Sequence, residues 1–135
     1  MSQENVEIVR TALLAGFVSK PPDVEALREV LDPDCVLTTN WGVEGAEHHG
    51  VEGALAAVAE MSGAWESWAQ EVERVLDAGD ERVVALLRLR ATGRGSAVPV
   101  EFQWATVATL RNGKIVTSRV FLSQADALKA VGLEE

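Results

Sequence analysis

Apolar residues along 3–18, QENVEIVRTALLAGFV, fall at Val6, Val9, Leu13, Leu14, Phe17 and Val18. That spacing predicts a helix with one broad apolar face. Ser2 is placed to cap it, and Glu4 and Glu7 put negative charge near the positive end of its dipole. Two prolines in SKPPD stop this helix, and Asp23 can cap a second, short one over 24–31, VEALREVL. The segment CVLTTNW alternates and is rich in β-branched residues, which predicts a strand. GVEGAEHHG, with three glycines, reads as a loop. A third helix follows over VEGALAAVAEMSGAWESW, with Leu55, Val58, Ala59, Met61 or Ser62, and Trp65 down one side.

Strand patterns then occupy about 69–77, about 82–92 and about 98–110. GRGS and RNGK are hairpin turns, the second leading into a final strand, KIVTSRVFL, and the tail SQADALKAVGL is a short helix. Asp77 and Asp80 in DAGDER read as hairpin-turn residues, and QEVERV as a solvated strand face. The order α-α-β-α-β-β-β-β is an α+β pattern. A hairpin-linked antiparallel sheet of this kind, packed against the three helices of the N-terminal half, can curl into a cone around a cavity. No repeat, low-complexity run or linker interrupts it.

The chain has 135 residues, enough for a single domain over 1–135 with a sizeable core. Its 47% hydrophobic and 24% charged residues are ordinary for a soluble globular protein. A net charge of −9, with 12 basic residues spread among 21 acidic ones, argues against a nucleic-acid partner. MSQENVEIVR lacks the basic and apolar regions of a signal peptide, and no apolar stretch approaches a membrane span. The single Cys35 cannot form an internal disulfide, which suits a cytoplasmic location. With one Cys and two His, neither a structural zinc site nor another cofactor is expected.

Strand alternation sorts the later residues into faces. Phe102, Trp104, Thr106, Ala108 and Leu110 share one face, and Glu101, Gln103, Ala105, Val107 and Thr109 the other. Arg88 and Arg90 oppose Ala85, Leu87 and Leu89. Pairing of opposite charges across strands puts the arginines with Glu101 and Gln103 on the outer side, leaving Phe102, Trp104, Thr106, Leu87 and Leu89 inside. A slip of one residue would invert this assignment.

The segments ENVEIVRTALLAGF, ALREVLDPDCVLTTN, GVEGALAAV, VLDAGDERVVALLRLRATGRGS and ATLRNGKIVTSRVFLSQADALKAVGL together resemble the SnoaL-like branch of the NTF2-like superfamily, which includes ketosteroid isomerases. The resemblance covers nearly the whole chain. It implies a curved sheet against three helices, a pocket in the cone and a homodimer through the sheet. It does not imply one chemistry, since such folds host isomerases, cyclases, epoxide hydrolases and non-catalytic modules.

Isomerases of the superfamily carry a carboxylic acid base on the strand matching CVLTTNW and an acidic hydrogen-bond donor on the strand matching WATVATL. The matching positions here are Thr39 and Thr106, neither of which can abstract a proton near neutral pH. The isomerase tyrosine is also missing, because the chain contains no Tyr. The histidine that other relatives have near position 106 is missing too, and no Asp-Arg-Asp set of an epoxide hydrolase assembles from inward-facing positions.

His48 and His49 remain as catalytic candidates at the cone mouth. Either imidazole suits a general base. The competing reading makes both loop residues, one solvated and one bonded to backbone, with at most one entering the pocket. Candidate ligand-binding residues are Phe17, Leu37, Thr39, Trp41, Met61 and Trp65, then Leu87, Leu89, Phe102, Trp104, Thr106, Ser118 and Val120. Trp41, Trp65, Trp68 and Trp104 would wall a flat apolar ligand or simply fill a core. Two functions therefore stand: a pocket for a small hydrophobic molecule, with isomerase- or cyclase-like chemistry if any, or a non-catalytic dimeric interaction module whose cone is filled by its own side chains.

Overall fold

The computed structural model describes residues 2–39, 46–95 and 98–133. Helix α1 (Ser2–Leu13) runs into one π-helical stretch (Leu14–Val18), closed by the Ser19 N–H donating to the Leu14 carbonyl at 2.8 Å. The Asp23 side chain accepts from the Ala26 N–H at 3.2 Å and so caps α2 (Val24–Val30), as its position before VEALREV predicts. Strands β1 (Leu31–Thr39) and β2 (Ala46–His49) precede α3 (Gly50–Gly63). Strands β3 (Trp65–Gly79), β4 (Arg82–Gly93), β5 (Pro99–Arg111) and β6 (Lys114–Phe121) then form a meander, and α4 (Gln124–Ala130) ends the fold. Among the described residues no helix is long and apolar enough to cross a membrane.

The six strands lie in the order β2-β1-β6-β5-β4-β3 in one curved, unclosed sheet. All neighbours pair antiparallel except β1 and β6, which run parallel. The sheet is therefore mixed, where alternation alone predicted an antiparallel one. Hairpins dictate the direction of β3 to β6, but β1 reaches β6 only after the rest of the chain has folded back, and no local turn signals that pairing. The tight turns follow their residues. Asn112 and Gly113 take φ of 55° and 78°, and Asp80 and Glu81 take 56° and 60°, the left-handed pairs that a two-residue hairpin with right-handed twist needs.

Four further expectations change. Trp65 and Trp68 belong to β3, because α3 stops at Gly63, and EHH is a short strand paired with β1 rather than loop. QEVERV is not a uniformly solvated face. Val72 pairs with Leu87 and Arg74 with Leu86, so Glu73 is the extra residue of a bulge and the inward parity shifts from Gln70 and Val72 to Val75. The helix layer is also not the whole story: α4 covers the opposite sheet face, where Ala127 and Val131 pack on Val84, Leu86 and Ala105.

The main core lies between the helices and the concave face, around Val9, Leu13, Leu27, Leu87 and Trp104. On the convex face Arg88 pairs with Glu73 at 2.8 Å and with Glu101 at 3.6 Å, and Arg90 pairs with Glu101. Gln103 and Gln124 donate to Glu73 at 3.1 Å each. Desolvation is the largest influence on the Glu73 carboxyl and pushes its pKa up. Hydrogen bonds from Gln124 and Gln103, with the charge and hydrogen bond of Arg88, outweigh it and hold the pKa below the ordinary glutamate value.

Two glycines bring α3 onto β2. Gly50 turns the chain at φ +69°, and a Cβ on Gly53 would sit 2.7 Å from the His48 carbonyl carbon and 2.9 Å from its Cβ. Gly63, at the far end of α3, has nothing within 4 Å of such a Cβ. Gly53→Ala should therefore lower the unfolding free energy by about 1–3 kcal/mol, as other overpacked sites do. Gly63→Ala should leave it unchanged or raise it slightly. Urea denaturation of both variants measures the contrast, and equal midpoints would contradict the close approach.

Candidate functional site

Two cavities open on the concave side of the sheet. The first, about 80 Å³, lies between α1, α3 and strands β1, β5 and β6. Its walls are almost wholly apolar: Val9, Leu13 and Phe17 from the first helix and its π turn, Ala57 and Val58 from α3, and Leu37, Trp104 and Val120 from the sheet. Among the described residues, none of the side chains that line it titrates near neutral pH. Its polar groups are hydroxyls on neighbouring strands. Thr106 and Ser118 share a hydrogen bond of 2.7 Å. Thr39, 3% exposed, lines the same cavity, and its Oγ1 has no hydrogen-bond partner among the described residues.

The second cavity, about 90 Å³, lies between the C-terminal end of α3 and strands β3, β4 and β5. Met61, Trp65, Gln70, Leu89, Phe102 and Trp104 line it, with Glu60 and Leu122 at its edge. Trp104, 2% exposed, lines both cavities and stands between them. Its indole N–H donates to Gln70 Oε1 at 3.0 Å, and its ring meets Phe17 edge-on with centroids 5.4 Å apart.

The candidate residues divide accordingly. Phe17, Leu37, Thr39, Thr106, Ser118 and Val120 line the first cavity, and Met61, Trp65, Leu89 and Phe102 the second, with Trp104 common to both. Leu87 lines neither; it is fully buried in the core. Trp41 lies outside the described residues.

The two histidines part company because they sit on a strand. His49 points away from the core, its side chain 66% exposed and its Nε2 3.7 Å from Glu47. His48 faces α3, only 11% exposed, with Nε2 3.4 Å from Glu60. It stands opposite Leu37 in the β1–β2 register yet lines neither cavity. Cys35 is fully buried; desolvation pushes its thiol pKa up, and the nearby Asp32 and Asp34 add to that, so it is poorly placed as a nucleophile. Among the described residues no three His, Cys, Asp or Glu side chains gather where they could hold a metal ion.

Gln70 is the residue that the polar reading of QEVERV passed over. The signal was its parity: Trp68, Gln70 and Val72 alternate on the inward side before the bulge at Glu73 resets the count. The bulge breaks the alternation after Val72, so a parity continued past it would wrongly turn Arg74 inward and Val75 outward.

An open curved sheet wrapped over α1 and α3, with a cavity on its concave side, defines the NTF2-like α+β class. More narrowly, the chain belongs to the SnoaL-like domain family, whose model matches residues 11–118. No curated protein matches the sequence. Among solved structures, a candidate SnoaL-like polyketide cyclase from Jannaschia sp. CCS1 is 22% identical over 99% of this chain and 95% of its own, with a TM-score of 0.73. A protein with a ketosteroid isomerase-like fold from Catenulispora acidiphila DSM 44928, solved with trimethylamine, is 20% identical over 94% of this chain and 93% of its own, with a TM-score of 0.69. TerC, co-crystallised with polyporic acid, is 17% identical over 96% of this chain and 98% of its own, with a TM-score of 0.70. At these identities the likeness is one of fold.

The Thr39 hydroxyl, without a partner among the described residues, gives a sharp expectation. A buried hydroxyl without a hydrogen bond costs about 1–3 kcal/mol. Thr39→Val, which keeps the shape and removes the oxygen, should raise the unfolding free energy of the ligand-free protein by about 1 kcal/mol. Thermal or urea unfolding measures this, and a clear loss of stability would mean that the hydroxyl is already satisfied.

Proposed function

We propose that the first cavity binds a small, mostly hydrophobic molecule through an apolar body and one hydrogen-bonding group. The single observation that carries this reading is Thr39 Oγ1, a buried hydroxyl without a described partner in an otherwise greasy chamber. A ligand carbonyl or hydroxyl reaching it would relieve the cost of its desolvation. Thr106 and Ser118 use one of their two protons on each other, so whichever hydroxyl accepts keeps its own O–H and offers a second, already oriented donor beside Thr39.

The chemistry this supports is holding and orienting a ligand, not moving its proton. Thr39 and Thr106 stand where isomerases of the superfamily carry acids, and His48 is turned onto α3, away from both cavities. A cyclase-like role remains open to such a site, since confining a flexible molecule in a folded shape needs walls more than a base. The candidate polyketide cyclase and the polyporic-acid complex among the structural neighbours support an organic ligand of that kind.

Titration with single-ring aromatic and alicyclic compounds, with and without a carbonyl or hydroxyl, followed by intrinsic tryptophan fluorescence, tests the proposal at the size the cavity allows. At least one compound bearing a carbonyl or hydroxyl should saturate the signal. Thr39→Val should weaken that compound about 2–10-fold, the worth of one neutral hydrogen bond. The same substitution would then stabilise the empty protein and impair the loaded one, a combination that a merely structural residue does not produce. Silence across the whole panel, or unchanged affinity in the variant, would count against the reading.

A further inference from the structure

We propose that the second cavity is a separate binding subsite, for the neutral acceptor end of a small flat molecule such as an aryl ketone, and that Gln70 creates it. The argument starts from an orientation that the hydrogen bond settles. An indole N–H can only donate, so the carboxamide oxygen of Gln70 must face Trp104, 3.0 Å away. The amide NH₂ is thereby turned the other way. Its one described hydrogen-bond acceptor is Met61 Sδ at 4.0 Å, weak and at the limit of reach.

Gln70 is only 8% exposed, so two N–H donors are held in a nearly dry wall where, among the described residues, only the Met61 sulfur accepts from them. That arrangement is costly unless something else takes the hydrogen bonds. A carbonyl oxygen in the cavity would do so.

The walls fit the rest of such a molecule. Trp65, Phe102 and Trp104 supply aromatic surface, and Phe102 and Leu122, 40% and 52% exposed, form an apolar entrance. By the measure in which one water needs about 10–15 Å³, a cavity of about 90 Å³ has room for several waters or one ring. Glu60 stands at the rim with its side chain half exposed. Its carboxylate, in a chain of net charge −9, repels an anionic ligand. The preferred acceptor is therefore neutral.

Acetophenone and cumene, nearly the same shape with and without the carbonyl, separate this proposal from plain hydrophobic filling. Benzoate and benzylammonium complete the set. In ¹H–¹⁵N spectra of the wild-type protein, acetophenone should shift the Gln70 side-chain amide and Trp104 indole signals saturably. It should bind about 2–10-fold more tightly than cumene, one neutral hydrogen bond's worth. Gln70→Glu keeps an oxygen for the Trp104 N–H but removes the amide donors, and should abolish the ketone's advantage.

Equal affinity for acetophenone and cumene would overturn the proposal. So would a ketone preference that survives in Gln70→Glu, or tighter binding of benzylammonium, which would make Glu60 the governing group. Shifts confined to Thr39, Thr106 and Ser118 would overturn it too, while leaving the reading of the first cavity intact.

Discussion

The hydrogen bond between Trp104 and Gln70 organises the interior of this protein. A buried tryptophan is costly unless its N–H finds an acceptor, and here the acceptor comes from β3, across β4 in the same meander. With Phe17 against its edge, the ring is held on two sides and stands as a partition. Without it, the concave face would enclose one larger hollow. With it, there are two chambers, one apolar with a few hydroxyls on its sheet wall and the other carrying a carboxamide donor.

The partition depends in turn on an irregularity in β3. The bulge at Glu73 changes which residues of that strand face inward, allowing Gln70 and Val75 to lie on the same side although they are five apart. The bulged residue itself is anchored on the convex face by Arg88, Gln103 and Gln124. Gln124 also donates to the carbonyls of Leu87 and Trp104, at 3.1 and 3.2 Å, and so ties α4 to the strands that carry the inner wall. Charge on one face of the sheet thus fixes the register that shapes the other.

Much of this was legible in the residues. The α+β order, the cap at Asp23, the turn at Asn112-Gly113, and the inward placement of Trp104 with Thr106 follow from periodicity and turn chemistry. What alternation could not supply was anything decided by long-range pairing. The parallel contact of β1 with β6, the short β2 strand that separates His48 from His49, and the reset at Glu73 have no local signature. Candidate residues such as Phe17, Met61 and Phe102 were identified by their apolar faces, but those faces could not show that they line two chambers rather than one. Gln70 escapes a reading by composition because a polar residue beside Glu71 looks solvated until its cross-strand partner, Leu89, is known.

Hydrogen exchange at the indole nitrogens tests the central claim most directly, because the N–H of Trp104 should be both buried and bonded. The structure predicts that this proton exchanges far more slowly than those of the partly exposed Trp65 and Trp68. Exchange of the Trp104 indole at the same rate as theirs would mean that no fixed partition divides the interior.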